Sequence, residues 1–283
     1  MYIRSDKIRK QLSSRLTAYP DRKSELVECE MRFIDVNYLD DVVALQETMA
    51  RALPDKEIFR LSSRDCLRDA MAKERSAIGV LTKDGLIAYH LLSIPGCGDN
   101  FGADIGLPES ELCNVAHIKA VVVHPSYRGN SLHRKMTSVH MNVLKDWGFW
   151  HVCCTVSPKN LYSLRNFLAC GMVIKGLRIK YEGLLRYILY ERLIESDSRN
   201  PRTSSSGDSF DSPDFPDSIN SNDSTGSADS PECMEAINEI NELNEINMIS
   251  TDIEGQRDLL RRGYFGCRAE GHPDGFRIAY RKI

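Results

Sequence analysis

The chain has 283 residues, 42% of them hydrophobic and 27% charged, with a formal net charge of −3. That balance supports a buried core and excludes the basic footprint expected of a nucleic-acid-binding protein. Nine cysteines are scattered without a Cys-x-x-Cys pair, so neither a disulfide framework nor a metal site is indicated.

The first residues, MYIRSDKIRKQLSSRLTAYP, are basic and mildly amphipathic but lack the apolar centre of a signal peptide, and no segment is long enough to cross a bilayer. The expectation is a cytoplasmic protein with no membrane partner, in which residues 1–26 form a basic extension. Cys29 to Val36 reads as a strand. Leu39 to Leu53 reads as a helix burying Val42, Val43, Leu45, Met49 and Leu53, and Pro54 ends it. Ser63 to Lys73 reads as a second helix. Ser76 to Thr82 and Leu86 to Ile94 form a predicted hairpin around Lys83-Asp84-Gly85, because Asp-Gly supplies the positive φ angles of a tight turn. Pro95 to Pro108 is a predicted loop.

Ala116 to Val123 is a predicted strand ending in the β-branched run Val121, Val122, Val123. Leu132, Met136, Val139, Val143 and Leu144 then recur at helical spacing. The switch falls at Arg128 to Ser131. A turn there directs free backbone N–H groups and the positive end of the helix dipole at an anion. Gly129 permits close approach of the backbone, and Arg128 adds a permanent cation. An ordinary corner with Ser131 as a helix cap is the alternative.

This run, VVVHPSYRGNSLHRKM, resembles motif A of the GNAT N-acetyltransferase superfamily, with Ser131 and His133 standing where the family has small residues. TVSPKNLYSLRNFLACGM, about twenty residues later, resembles motif B. Cys153 to Val156 reads as its strand, ended by Pro158, and Asn160 to Cys170 as its helix, closed by Gly171. Val173 to Tyr181 and Leu184 to Leu193 form a final predicted hairpin.

The resemblance covers residues 29–193 and implies an α/β fold with a mixed, mostly antiparallel sheet flanked by helices. It implies an acetyltransferase that moves an acetyl group from acetyl-CoA to an amine acceptor. It assigns the diphosphate to the turn (Arg128, Gly129, Asn130, Ser131, Leu132, His133) and the pantetheine arm to Val121, Val122 and Val123. Asn160, Ser163 and Phe167 complete the cofactor wall. A helix N-cap is the alternative for Asn160, and a surface helix serine the alternative for Ser163. His117 falls where the family carries its general base, on the same strand face as Lys119, Val121 and Val123 by simple alternation; a hydrogen-bonded strand histidine without a catalytic task is the alternative. Phe167 replaces the tyrosine that donates a proton in the family, which leaves water, the Tyr162 hydroxyl or the thiol's own low basicity to cover departure of the thiolate. Asp104, Glu109 and Glu111 are candidates to draw an ammonium group, with Tyr181, Glu182 and Arg186 lining the far wall. A GNAT-fold acetyl-CoA sensor without turnover is the second functional reading, and a homodimer is left open.

Residues 195–252 read as a linker: 195–232 are rich in Ser, Asp, Pro, Gly and Asn and are expected to be disordered, and EAINEINELNEIN as a frayed helix or disorder. Residues 253–283 read as a helix, Ile253 to Arg262, and a strand, Phe276 to Lys282, too small to fold alone and expected to dock on the domain at 27–194.

Overall fold

The computed structural model describes residues 13–20, 26–96, 98–193 and 245–282. The expected disorder of 195–232 lies outside them, as do most of the basic extension and of EAINEINELNEIN. The described elements form one 11-stranded sheet with helices packed on it, in the order β1-β2-β3-β4-β5-β6-β8-β7-β10-β11-β9.

The strands are β1 (Ser13–Ala18), β2 (Val27–Phe33), β3 (Ala77–Thr82), β4 (Gly85–Ser93), β5 (Val115–Val123), β6 (His151–Val156), β7 (Val173–Lys180), β8 (Leu184–Arg192), β9 (Ile246–Ile249), β10 (Tyr264–His272) and β11 (Gly275–Lys282). The helices are α1 (Leu39–Arg51), α2 (Arg64–Met71), α3 (Phe101–Asp104), α4 (Leu132–Asp146), α5 (Leu161–Leu168) and α6 (Ile253–Arg261). All strand pairs are antiparallel except β5 with β6. α1 and α2 cover one face of β4 and β5 through Val42, Leu45 and Leu67; α4 covers the other through Leu132, Met136 and Leu144. Among the described residues no helix is long and apolar enough to cross a membrane.

Four elements differ from the sequence expectation, the first being α3, a short helix inside the stretch Pro95 to Pro108 that reads as a loop. β1, a polar strand inside the supposed extension, pairs with β2 over six residues from Ser13↔Arg32 to Ala18↔Val27, a partnership that local propensity does not encode. β9 lies inside the supposed linker and β10 in an unassigned stretch; both are strands because β11 and β7 offer them ladder partners.

β9-α6-β10-β11 repeats β6-α5-β7-β8. Asn160 and Asp252 each cap their helix by accepting the N–H three residues on. Gly171 (φ 95°) and Gly263 (φ 84°) close those helices, and Gly183 (φ 117°) and Gly275 (φ 133°) turn the hairpins. The spacing is the same for all three pairs. Both hairpins carry a bulge at matching places, Ile174/Gly176 and Gly266/Arg268. The strand orders β6-β8-β7 and β10-β11-β9 mirror each other across the antiparallel contact Gly266↔Ile174, so the two units are related by an approximate two-fold axis.

Candidate functional site

β5 and β6 pair only at Val115↔His151, Ala116↔Val152 and His117↔Cys153, although β5 runs on to Val123 and β6 to Val156. Beyond His117 the two strands splay. The cause lies on the other side of β5, where the ladder with β4 steps from Leu92↔Ile118 to Leu91↔Ala120 and leaves Lys119 as a bulge. A bulge adds local twist and turns the strand away from its neighbour. The gap is a cleft of about 370 Å³, with Val121, Ser157, Asn160, Ser163 and Phe167 among its walls.

The bulge also corrects the expected grouping of His117. An extra residue shifts the side-chain alternation by one, so His117 does not share a face with Val121 and Val123. Ala116, Ile118 and then Val121 and Val123 pack toward α4, whereas Ala120 and Val122 pack toward α1 and α2. His117 turns to the loop before β5: its ring stacks on Phe101 at 3.9 Å between centroids, and Nε2 accepts the Phe101 N–H at 3.1 Å. Burial is the main cause that pulls its pKa down to about 4. With Nε2 engaged as an acceptor, the proton of the neutral ring sits on Nδ1, and neither nitrogen is free to take another.

At the far end of β5, the His124 N–H bonds to Ile87 O at 2.8 Å, and one tight turn follows at Pro125–Tyr127. That turn uses the N–H groups of Tyr127 and Arg128. From Gly129 to His133 the N–H groups meet no acceptor among the described residues; the next bond is Lys135 N–H to Ser131 O at 3.0 Å. Gly129 (φ 87°) and Ser131 (φ 58°) adopt left-handed conformations, which turn successive amides to one side as in an anion nest at a helix N-terminus. Ser131 makes no side-chain cap; its Oγ instead accepts from Arg134 at 3.1 Å.

Several side chains assigned to the cofactor have other work. Asn130 is clamped to the backbone of Tyr19, accepting its N–H at 3.0 Å and donating to its carbonyl at 3.1 Å, so it fastens the end of β1 to the turn. Leu132 and Val122 are core residues that leave only their backbones to the site. Arg128 reaches Met49 Sδ on α1 at 3.0 Å. His133 lies edge-on to Phe167 at 4.5 Å, with its pKa lowered to about 4 chiefly by burial. Asn160 Oδ1 is the N-cap of α5, accepting the Ser163 N–H at 3.0 Å, while its Nδ2 meets no acceptor among the described residues. Phe167 is buried at the cleft wall, and Tyr162, 85% exposed, is not among the cleft residues. Asp104 is held by Lys180 at 2.8 Å and Glu111 by His151 at 3.0 Å; Asp99, missed in the sequence, is the carboxylate at the cleft.

Residues 27–193 thus run strand, two helices, two strands, a short helix, a strand, helix, strand, helix, two strands. Apart from the short α3, that is the element order that the resemblance of the two motifs implies. No family model matches the chain, and no curated protein sequence does. Solved structures do match. The ribosomal-protein-S18-alanine N-acetyltransferase of Escherichia coli aligns at 12% identity and a TM-score of 0.45, covering 61% of this chain and 99% of that one. The diaminobutyrate acetyltransferase of Paenibacillus lautus, solved with its substrate and coenzyme A, aligns at 15% and 0.46 over 60% and 98%. An N-acetyltransferase from Staphylococcus aureus aligns at 10% and 0.43 over 59% and 99%.

Proposed function

We propose that this chain is an acetyl-CoA-dependent N-acetyltransferase acting on a primary amine. One observation carries the reading: the splayed edge of β5 leads straight into the open amides of Gly129 to His133, so a single strand offers both an extended groove and an anion cradle. The diphosphate of acetyl-CoA fits the cradle, with Arg128 beside it. The amide groups of pantetheine pair with the β5 edge that β6 has left, and Asn160 Nδ2 and Ser163 Oγ flank the arm.

The amine nitrogen attacks the thioester carbonyl where the strands part. A β5 backbone N–H receives the developing oxyanion, the C–S bond breaks, and the CoA thiolate leaves. Because both nitrogens of His117 are committed, the amine's proton passes to water. His117 acts as a positioning residue that holds the Phe101 loop over the acceptor end. The pH profile of kcat/KM is therefore expected to follow the free-base fraction of the amine, with no inflection near pH 6.5. His117→Ala is expected to lower turnover about tenfold without adding or removing an inflection. A limb near pH 6.5 that vanishes in His117→Ala would restore it as the base.

Calorimetry with acetyl-CoA followed by thiol release against a panel of amines tests the reading. Gly129→Val places a β-branched side chain at φ 87° and is expected to weaken acetyl-CoA binding at least about tenfold, roughly 1.4 kcal/mol, with an unchanged circular dichroism spectrum. Binding without thiol release across the panel assigns the cleft to cofactor sensing, a reading that Phe167, which has no hydroxyl, favours.

A further inference from the structure

We propose that the acceptor is a primary amine that also carries a carboxylate, and that Arg186, with Arg60, holds that carboxylate; the inference rests on the acetyltransferase reading above. Arg186 projects from β8 into the cleft and is 4% exposed. Its guanidinium donates to two carbonyls, Leu185 O at 2.9 Å and Glu57 O at 2.7 Å. Among the described residues no carboxylate lies within 4.0 Å of it. Asp55 and Glu57, whose charges reach Arg186 from a distance, are in direct contact with Lys159 at 2.8 and 2.6 Å. A guanidinium has five N–H donors, and a buried one with no carboxylate in direct contact retains capacity for an anion.

The surroundings point the same way. The Arg60 guanidinium sits 4.6 Å from the ring centroid of Tyr181, whose hydroxyl is 3.0 Å from Thr155 Oγ1, so a second cation lines this wall. Lys119, the bulged residue of β5, adds a third. Against these stands Asp99, which shares its charge with Lys180 at 3.1 Å. An amine with only positive charge meets a wall of its own sign. An amine with a carboxylate neutralises it, and the planar guanidinium of Arg186 is suited to a two-point grip on that group.

The test uses the full chain and three matched acceptors: an α-amino acid, its carboxamide, and the amine lacking the carboxylate. The expected result is a kcat/KM for the amino acid at least about tenfold above the other two, a preference that Arg186→Gln abolishes through KM and Arg186→Lys partly keeps. Equal rates on all three in the wild type, or an equal loss on all three in Arg186→Gln, overturns the inference while leaving the acetyltransferase reading intact. Failure to bind acetyl-CoA overturns that parent reading instead. The carboxylate site is then decided by thermal shift: an N-acetylated amino acid is expected to stabilise the wild type but not Arg186→Gln, and its amide neither, whereas identical shifts for acid and amide overturn it.

Discussion

Gln256→Leu is expected to lower the unfolding free energy by about 4 kcal/mol, because it strands several buried polar groups at once. Gln256 is fully buried on α6. Its Oε1 accepts from the hydroxyls of Tyr187 at 2.7 Å and Tyr280 at 2.8 Å, and the two N–H groups of its Nε2 are shared among the carbonyls of Ile249, Ser250 and Asp252 at 3.0 to 3.1 Å. One side chain therefore ties β8, in the first repeat, to β11 and to the turn that starts α6 in the second. Leucine matches the volume but leaves two tyrosine hydroxyls without their acceptor, each costing roughly 1–3 kcal/mol. Urea unfolding reads the loss as a lower midpoint. Adding Tyr187→Phe and Tyr280→Phe to the leucine variant is expected to recover part of it, since the two hydroxyls that lost their acceptor are then gone. A loss below about 1 kcal/mol for Gln256→Leu would show that the network does not clamp the repeats together.

Stability is also expected to fall steeply as the pH drops from about 6.5 to about 4, the window between an unfolded histidine and these buried ones. His140 on α4 and His90 on β4 are both fully buried, with their Nδ1 atoms 2.6 Å apart. His140 Nε2 faces the Arg75 carbonyl at 3.2 Å and must donate to it, so His140 Nδ1 is the acceptor and His90 Nδ1–H the donor. His90 Nε2 is left as a buried lone pair without a partner. Burial leads the causes in each case, lowering His140 to about 3, His117 and His133 to about 4, and His90 well below its usual range. The unfolded chain takes up protons below pH 6.5 that the folded chain refuses. The histidine contribution is therefore complete above that value and is lost on acidification. Each tenfold difference in proton affinity between the folded and unfolded chain is worth about 1.4 kcal/mol. The measurement is the urea midpoint as a function of pH. Replacing His90 and His140 together by leucine is expected to flatten the slope; a midpoint indifferent to pH between 6.5 and 4.5 in the wild type would contradict this account.

Much of the fold is legible from local chemistry. Asp84-Gly85 and Glu182-Gly183 mark the two hairpins, Pro54 and Gly171 mark helix ends, and the change from Val121-Val122-Val123 to the spacing of Leu132, Met136 and Val143 marks the site turn. The repeat leaves a trace too, since Gly171 and Gly263, and Gly183 and Gly275, share one spacing with their caps Asn160 and Asp252. That trace is faint because the buried residues of the two units differ in kind, as with Phe167 and Leu259. The bulge at Lys119 leaves no mark: Ile118-Lys119-Ala120-Val121 alternates acceptably in either register, and only the β4 ladder decides which residue is extra.

The site divides in the same way. A turn with open amides at 129–133 follows from a glycine, a strand end and a helix start close together in the chain, and those the sequence determines by itself. The partnership of Asn130 with Tyr19, of His117 with Phe101 and of Arg186 with Glu57 joins residues 111, 16 and 129 positions apart, and only the tertiary structure decided them. The physical reason is that backbone preference acts over a few residues, whereas the role of a polar side chain is set by whichever donor or acceptor the finished core leaves within its reach.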